Sequence, residues 1–301
     1  MVLFLGVAAS SPAETTPGPK GGTEGPASDV GWSYLHFHAE RWTGVIDAYI
    51  RVSSIPAENV SPPPPAEWSE RMPPRQEVLL VSVETKINPL FGSAVRLEDR
   101  SWLVPGSFLA LWQLRSQRGG DEYEKTYWFT PDGVHRIRRA PANPQESGHP
   151  PEQSSDEEEA FYAYPARRSE CTGVATPAAL LFLSAPHIRP DSGIRKHLCV
   201  FDRKRLYDVL IKQGATVLPN FDATGVEGYP PGRPKATAIA FEPRSLGSAE
   251  EKEFSFLGIS GDFQVVFDLN SGIPLRIQGS IPGFGMTELV LREVRPFRQH
   301  D

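Results

Sequence analysis

Period-two alternation of apolar and polar residues, in short runs broken by Gly, Pro and Asn, predicts an all-β and mainly antiparallel fold. About a dozen such runs at close spacing predict a strongly curved many-stranded sheet or an open half-barrel. A single segment departs from the pattern and predicts one short helix.

The first alternating run spans Leu35 to Trp42. In the second, Ile46, Ala48, Ile50 and Val52 alternate with Asp47, Tyr49, Arg51 and Ser53, the mark of a half-buried strand. Glu77 to Thr85 (EVLLVSVET) is β-branched and alternates again, and Val95 to Leu103 follows. Phe108 to Leu114 (FLALWQL) fits two helical turns as well as a strand, but Pro105-Gly106 and the flanking strands favour a strand. Tyr123 to Thr130 and Val134 to Arg139 form the clearest hairpin, joined by Pro131-Asp132-Gly133. There Pro pre-sets a turn φ and Gly supplies a positive one.

Thr176-Pro177 reads as an N-cap with Pro at the first helical position, opening a helix over AALLFLSA. That helix is apolar around most of its circumference and is expected to pack into or across the sheet. Further strands are expected at Tyr207 to Lys212 and Ala236 to Phe241. A second hairpin joins Phe263 to Asp268 and Ile273 to Gly279 through Asn270-Ser271-Gly272. The last strand, Thr287 to Val294, is entered through Gly283-Phe284-Gly285.

Met1 to Ala9 (MVLFLGVAA), followed by Ser-Ser-Pro-Ala, is similar to the apolar region and cleavage site of a secretory signal. No basic region precedes it, so a signal remnant and a chance apolar terminus both fit. Residues 1–30 are read as that remnant plus a disordered Pro/Gly-rich linker, and 31–301 as one β-rich domain. Pro62 to Pro65 with Pro73-Pro74 makes a stiff connector, and an acidic, Pro-rich loop is inserted at about 141–170. Its run Asp156-Glu157-Glu158-Glu159 is expected to be a solvated loop. It lacks the spaced oxygens and sharp Gly turn of a calcium site.

A formal net charge of −6 excludes the basic footprint of a general nucleic-acid binder. No run approaches the ~18 continuous apolar residues of a transmembrane helix. Cys171 and Cys199 are the two cysteines. They are read as a disulfide, worth roughly 3 kcal/mol for such a loop, or as two buried thiols. The expected location is the periplasm or outside the cell, as a soluble protein.

Tyr123, Tyr127 and Phe129 point to one side of their strand and Trp128 to the other, so both faces of this sheet are apolar. The second face needs a cover, either the chain itself (Ala178 to Leu183) or a lipid or other hydrophobic ligand. Arg136, Arg138 and Arg139 at the hairpin's end, with Arg115 and Arg118 near them, hold an anionic headgroup or serve as exposed edge charges. Tyr123, Tyr127, Trp128, Arg136 and Arg138 are therefore the candidate ligand-binding residues. His36 and His38 share a strand face about 7 Å apart. They begin a metal site only if a third ligand, His135 or Glu40, joins them. No G-x-S-x-G elbow, P-loop, H-E-x-x-H or G-x-G-x-x-G occurs, so neither catalysis nor a cofactor is expected.

The run Cys199-Val200-Phe201-Asp202-Arg203-Lys204-Arg205-Leu206-Tyr207-Asp208 resembles a motif of the domain of unknown function 3108 family of exported bacterial proteins. Gly272-Ile273-Pro274-Leu275-Arg276-Ile277 resembles that family's penultimate strand. The likeness covers mainly residues 176–294. It departs at Arg203, where the family's turn carries Gly, and in lacking a Trp before the final hairpin. It implies an envelope protein with a curved sheet similar in outline to periplasmic lipoprotein carriers, and it carries over no catalytic residue. Three functions remain: an envelope protein holding a lipid or amphipathic ligand in the sheet's concavity, an interaction module with a self-filled core that docks an envelope partner, and an unrecognised metal-dependent hydrolase.

Overall fold

The computed structural model describes residues 31–56, 77–143, 145–149, 153–165, 173–184, 195–217, 222–247 and 254–297. The leader and linker, the proline connector and Cys171 lie outside these residues. Alternation builds the first arm of the sheet from β1 (Trp32–Arg41), β2 (Gly44–Pro56), β3 (Glu77–Pro89), β4 (Val95–Leu103) and β5 (Ala110–Arg118). β6 (Tyr123–Phe129), β7 (Gly133–Ala140) and β8 (Asp156–Ala163) extend it. The second arm holds β9 (Val174–Ala175), β10 (Arg195–Asp202), β11 (Arg205–Val217) and β12 (Ala236–Ser245). β13 (Ser255–Phe256), β14 (Ile259–Asp268), β15 (Pro274–Ile281) and β16 (Gly285–Pro296) complete it.

These form one 16-stranded sheet whose path runs β8-β7-β6-β5-β4-β3-β2-β1-β16-β15-β14-β12-β11-β10-β9, with β13 paired to β14. Every ladder is antiparallel except the short parallel pair β9–β10. The sheet is curved and open, as the alternation predicts. Among the described residues its two edge strands, β8 and β9, are not paired with each other. They meet face to face through side chains: Tyr127 and Val134 of the first arm pack with Val174, Cys199, Phe201 and Leu206 of the second. Phe201 is the hub, with Tyr127, Phe129 and Tyr162 rings at 5.9, 5.9 and 5.7 Å.

The concave face is largely filled by the chain itself. A 3-10 turn (Pro177–Ala179) leads into α1 (Leu180–Ser184), and Ala178, Ala179, Leu180, Leu181 and Phe182 are all buried. Phe182 stacks on Trp32 and Phe108, fixing the helix to the inner surface of the first arm. Four expectations need correction. Thr176 does not cap this helix with its side chain, because the tight turn satisfies the Ala179 N–H with the Thr176 carbonyl. Phe108 stands outside β5, in a turn with φ of 53° that drives its ring into the core.

The acidic run is the third correction. Asp156 to Glu159 open β8, an edge strand, rather than a loop. Four acidic residues disfavour a strand on their own. Here they pair with basic neighbours on β7: Asp156 with Arg138, Glu157 with Arg139, Glu158 with Arg136 and Glu159 with His135. Fourth, Arg136 is not an exposed edge charge. It is buried inside the sheet, because β8 covers β7 and takes the edge position.

The hub gives a test of how the arms are held. Phe201→Ala is expected to lower stability by about 3–5 kcal/mol, as for other buried Phe truncations. Urea unfolding measures this. A loss near zero would mean that the two arms do not depend on this contact.

Candidate functional site

The register of β4 to β8 places every second residue on the concave face. Asp99 and Ser101 of β4, Gln113, Arg115 and Gln117 of β5, and Tyr123, Lys125 and Tyr127 of β6 stand side by side. Arg136 and Arg138 of β7 continue the row. Thus four of the five ligand-binding candidates, Tyr123, Tyr127, Arg136 and Arg138, share one face. Trp128 lies on the opposite face. There it packs with Trp102, Trp112 and Val78, and the Trp102 and Trp112 rings stack at 3.7 Å. The indole N–H groups of these three tryptophans are buried without a hydrogen-bond partner, so this ladder is apolar packing.

Across the concavity, Asp202 of β10 is buried and accepts a charge-assisted hydrogen bond from Arg115. Its other oxygen accepts from the Ser255 backbone N–H at 2.9 Å. Arg115 also lies 3.5 Å from Asp99, whose oxygens accept from Ser101 at 2.9 Å and Gln113 at 2.7 Å. Burial alone would lower the Arg115 pKa, but Asp202 and Asp99 outweigh it and hold the guanidinium firmly charged. Burial raises the Asp99 pKa, helped by the nearby Asp202 charge, and outweighs the lowering pull of Arg115, Ser101 and Gln113.

Lys125 sits among cations. Arg115 and Arg138 are its in-register neighbours, and its ammonium lies 3.7 Å from the Tyr123 ring centroid. Among the described residues it forms no ion pair. Burial, then Arg115, Arg136, Arg138 and Arg203, hold its pKa down to about 7. The spare carboxylates nearby are already engaged, Asp156 by Arg138 and Glu158 by Arg136.

Beside this row lies a cleft of about 210 Å³ at the end of the sheet where β3 meets β4. Val83, Ile87, Leu97 and Phe256 make its apolar wall, and Arg115, Tyr123, Arg203, Glu98 and Asp99 its polar wall. Arg203 occupies the β10–β11 turn at φ of 59°, a conformation that costs a side-chain-bearing residue roughly 1 kcal/mol and suits Gly. The strained turn sets Arg203 in the cleft's lining, with its guanidinium 3.8 Å from Asp202.

His36 and His38 both bond a single oxygen of Asp47, each at 2.9 Å. Burial raises the Asp47 pKa, but the bonds from His38 and His36 win and lower it. His135 stands on β7, six strands away in the sheet order, paired with Glu159. Glu40 is exposed. No group of three or more His, Cys, Asp and Glu able to hold a metal occurs among the described residues. Cys199 is buried and disulfide-bonded. No described helix is long and apolar enough to cross a membrane.

No protein-family model matches the chain, and no curated protein does. Among solved structures it is similar to a β-barrel-like protein of the domain of unknown function DUF1849 from Brucella abortus. The two are 7% identical with a TM-score of 0.43, over 89% of this chain and 97% of that one.

The row's residues give two tests. Asp202→Ala removes the main partner of a buried guanidinium and the acceptor of a backbone N–H, and is expected to cost about 3 kcal/mol in urea unfolding. Lys125 releases its proton near 7 when folded, against 10.5 when unfolded. The unfolded chain therefore binds more protons between those values, and stability rises with pH across that window. Relative to Lys125→Met, wild-type stability is expected to climb from pH 6 to pH 10. A constant difference between the two would show that Lys125 titrates normally.

Proposed function

We propose that this chain is a non-enzymatic binding protein of the bacterial envelope that takes an anionic amphiphile in the cleft. The observation that carries this reading is a cleft with one apolar wall and one polar wall that holds Arg115 and Arg203 as well as Glu98 and Asp99, beside which Lys125 stands without a carboxylate among the described residues. An anionic head is met by Arg203 and Arg115 of the lining, with Lys125 in the row beside them, and the first part of an alkyl tail lies along Val83, Ile87, Leu97 and Phe256. At about 210 Å³ the cleft is smaller than the roughly 300–1,000 Å³ of pockets that enclose a drug-sized ligand. A single-chain ligand, partly enclosed, fits it better than a two-chain lipid. Envelope placement is supported by the bonded state of Cys199, for which the proposed partner is Cys171, because disulfides persist in oxidising compartments. The likeness of the β10–β11 hairpin to exported proteins supports it too.

A second reading, an interaction module with a self-filled core that docks an envelope partner, is favoured by the buried residues of Pro177–Ala179 and α1. Calorimetric titration with dodecyl phosphate and with dodecanol separates the two. Binding of the phosphate in preference to the alcohol, weakened about tenfold or more by Arg203→Gly, is expected from a lost charge-assisted contact. Arg203→Gly relieves the strained turn, so it is expected to fold at least as stably as wild type. Equal binding of both compounds would overturn the anionic head site, and binding of neither would favour the self-filled module.

A further inference from the structure

Lys125 stands in the charged row but outside the lining of the cleft, and it is half-buried. The ladder puts Arg115 of β5 and Arg138 of β7 directly opposite it on the same face, which sets their Cβ atoms about 5 Å from its own. Arg136, two residues along β7, is its diagonal neighbour at roughly 7–8 Å. Tyr123, two residues back on β6, places its ring centroid 3.7 Å from the amine. Arg203 acts on it from the β10–β11 turn.

Each guanidinium of this cluster has a carboxylate. Arg115 has Asp202 and Asp99, Arg136 has Glu158, Arg138 has Asp156, and Arg203 lies 3.8 Å from Asp202. Among the described residues Lys125 has none. Asp202 is further committed to the Ser255 N–H, and Asp99 to Ser101 and Gln113. Five cationic side chains thus share four carboxylates. Donor capacity is also left over, because the Arg136 side chain is 1% exposed and its Nε has no hydrogen-bond partner. The cluster is short of one small anion.

Burial, and then the surrounding guanidiniums, oppose a proton on Lys125 and hold its pKa down to about 7. An amine in that state is a nucleophile at neutral pH. A half-buried amine outside the cleft is reached by a small, uncharged electrophile, and the cluster favours an adduct that is anionic. Carbon dioxide meets both conditions. An aldehyde or an acyl donor would leave an imine or an amide, neither of which brings negative charge.

We propose that Lys125 is a carbon dioxide acceptor, its amine becoming a carbamate flanked by the Arg115 and Arg138 guanidiniums. The nitrogen lone pair forms the N–C bond, one C=O π pair moves onto oxygen, and one amine proton passes to water. Nothing is oxidised or reduced. The carbamate supplies the fifth negative charge, and its two oxygens match the fork of a guanidinium. The step needs nothing in the cleft, so it stands or falls apart from the anionic-head reading.

Carbon-13 NMR of the full chain in labelled bicarbonate tests the proposal, with alkylative trapping and peptide mass spectrometry to locate the adduct. A carbamate signal that Lys125→Met removes is expected, together with a trapped carboxyl group on the peptide that holds Lys125. At pH 7.5 an ordinary lysine is about 0.1% uncharged, so other lysines contribute little. The α-amino group, which titrates near ~8, gives a signal that persists in the variant. At fixed dissolved carbon dioxide the Lys125 signal is expected to rise several-fold from pH 6 to pH 8, as the amine loses its proton. Trapping reads the wild-type chain itself, so the result does not rest on how the variant folds. A wild-type spectrum matching that of Lys125→Met, or a trapped group on the amino-terminal peptide alone, would overturn the proposal.

Discussion

A sheet that curls without closing must hold its two ends together by means other than the ladder, and here Asp202 does so. Its carboxylate ends β10 in the second arm, receives Arg115 from β5 in the first, and receives the Ser255 N–H from β13. Each backbone edge that a closed barrel would satisfy is handled separately. β8 is armoured with charge, and β9 is two residues long. The hydrophobic seam around Phe201 supplies the bulk of the attraction, and the ion pair fixes its alignment. A buried pair of this kind is weak evidence for stability but costly to break.

That choice of fastening determines the chemistry of the concave face. Bringing Arg115 inside demands carboxylates, so Asp99 and Asp202 flank it, and Ser101 and Gln113 complete the hydrogen bonding of Asp99. On the same row β7 brings in Arg136 and Arg138, which are balanced in turn by Glu158 and Asp156 from β8. Lys125 sits between the two sets and belongs to neither. Its depressed pKa follows from burial beside other people's charges, in the plain sense that every nearby carboxylate already has a guanidinium.

Much of the fold was legible because alternation is a local signal. The strand from Val95 to Leu103 and both marked hairpins stand where their residues place them. The opposite orientations of Tyr127 and Trp128 also follow from period two. The site was less legible. β8 was hidden because its acidic residues have low strand propensity, and only the cations of β7 make the strand favourable. Lys125 carried no signal of its own, since its environment is assembled from β5, β7 and the β10–β11 turn. Arg203 did carry one. It departs from the Gly that the resemblance leads one to expect, and a positive φ under a long basic side chain is a cost that asks for a reason.

The two faces of β4 to β7 invert the usual distribution. Tryptophans line the face away from the concavity, while the charged row lines the inside, where α1 and the second arm limit access to water. An inward row of charge is costly unless its members are paired; Arg115, Arg136 and Arg138 each have a carboxylate, and among the described residues Lys125 does not. Filling much of the concavity with the helix limits the room beside that row, and the cleft lies at one end of it.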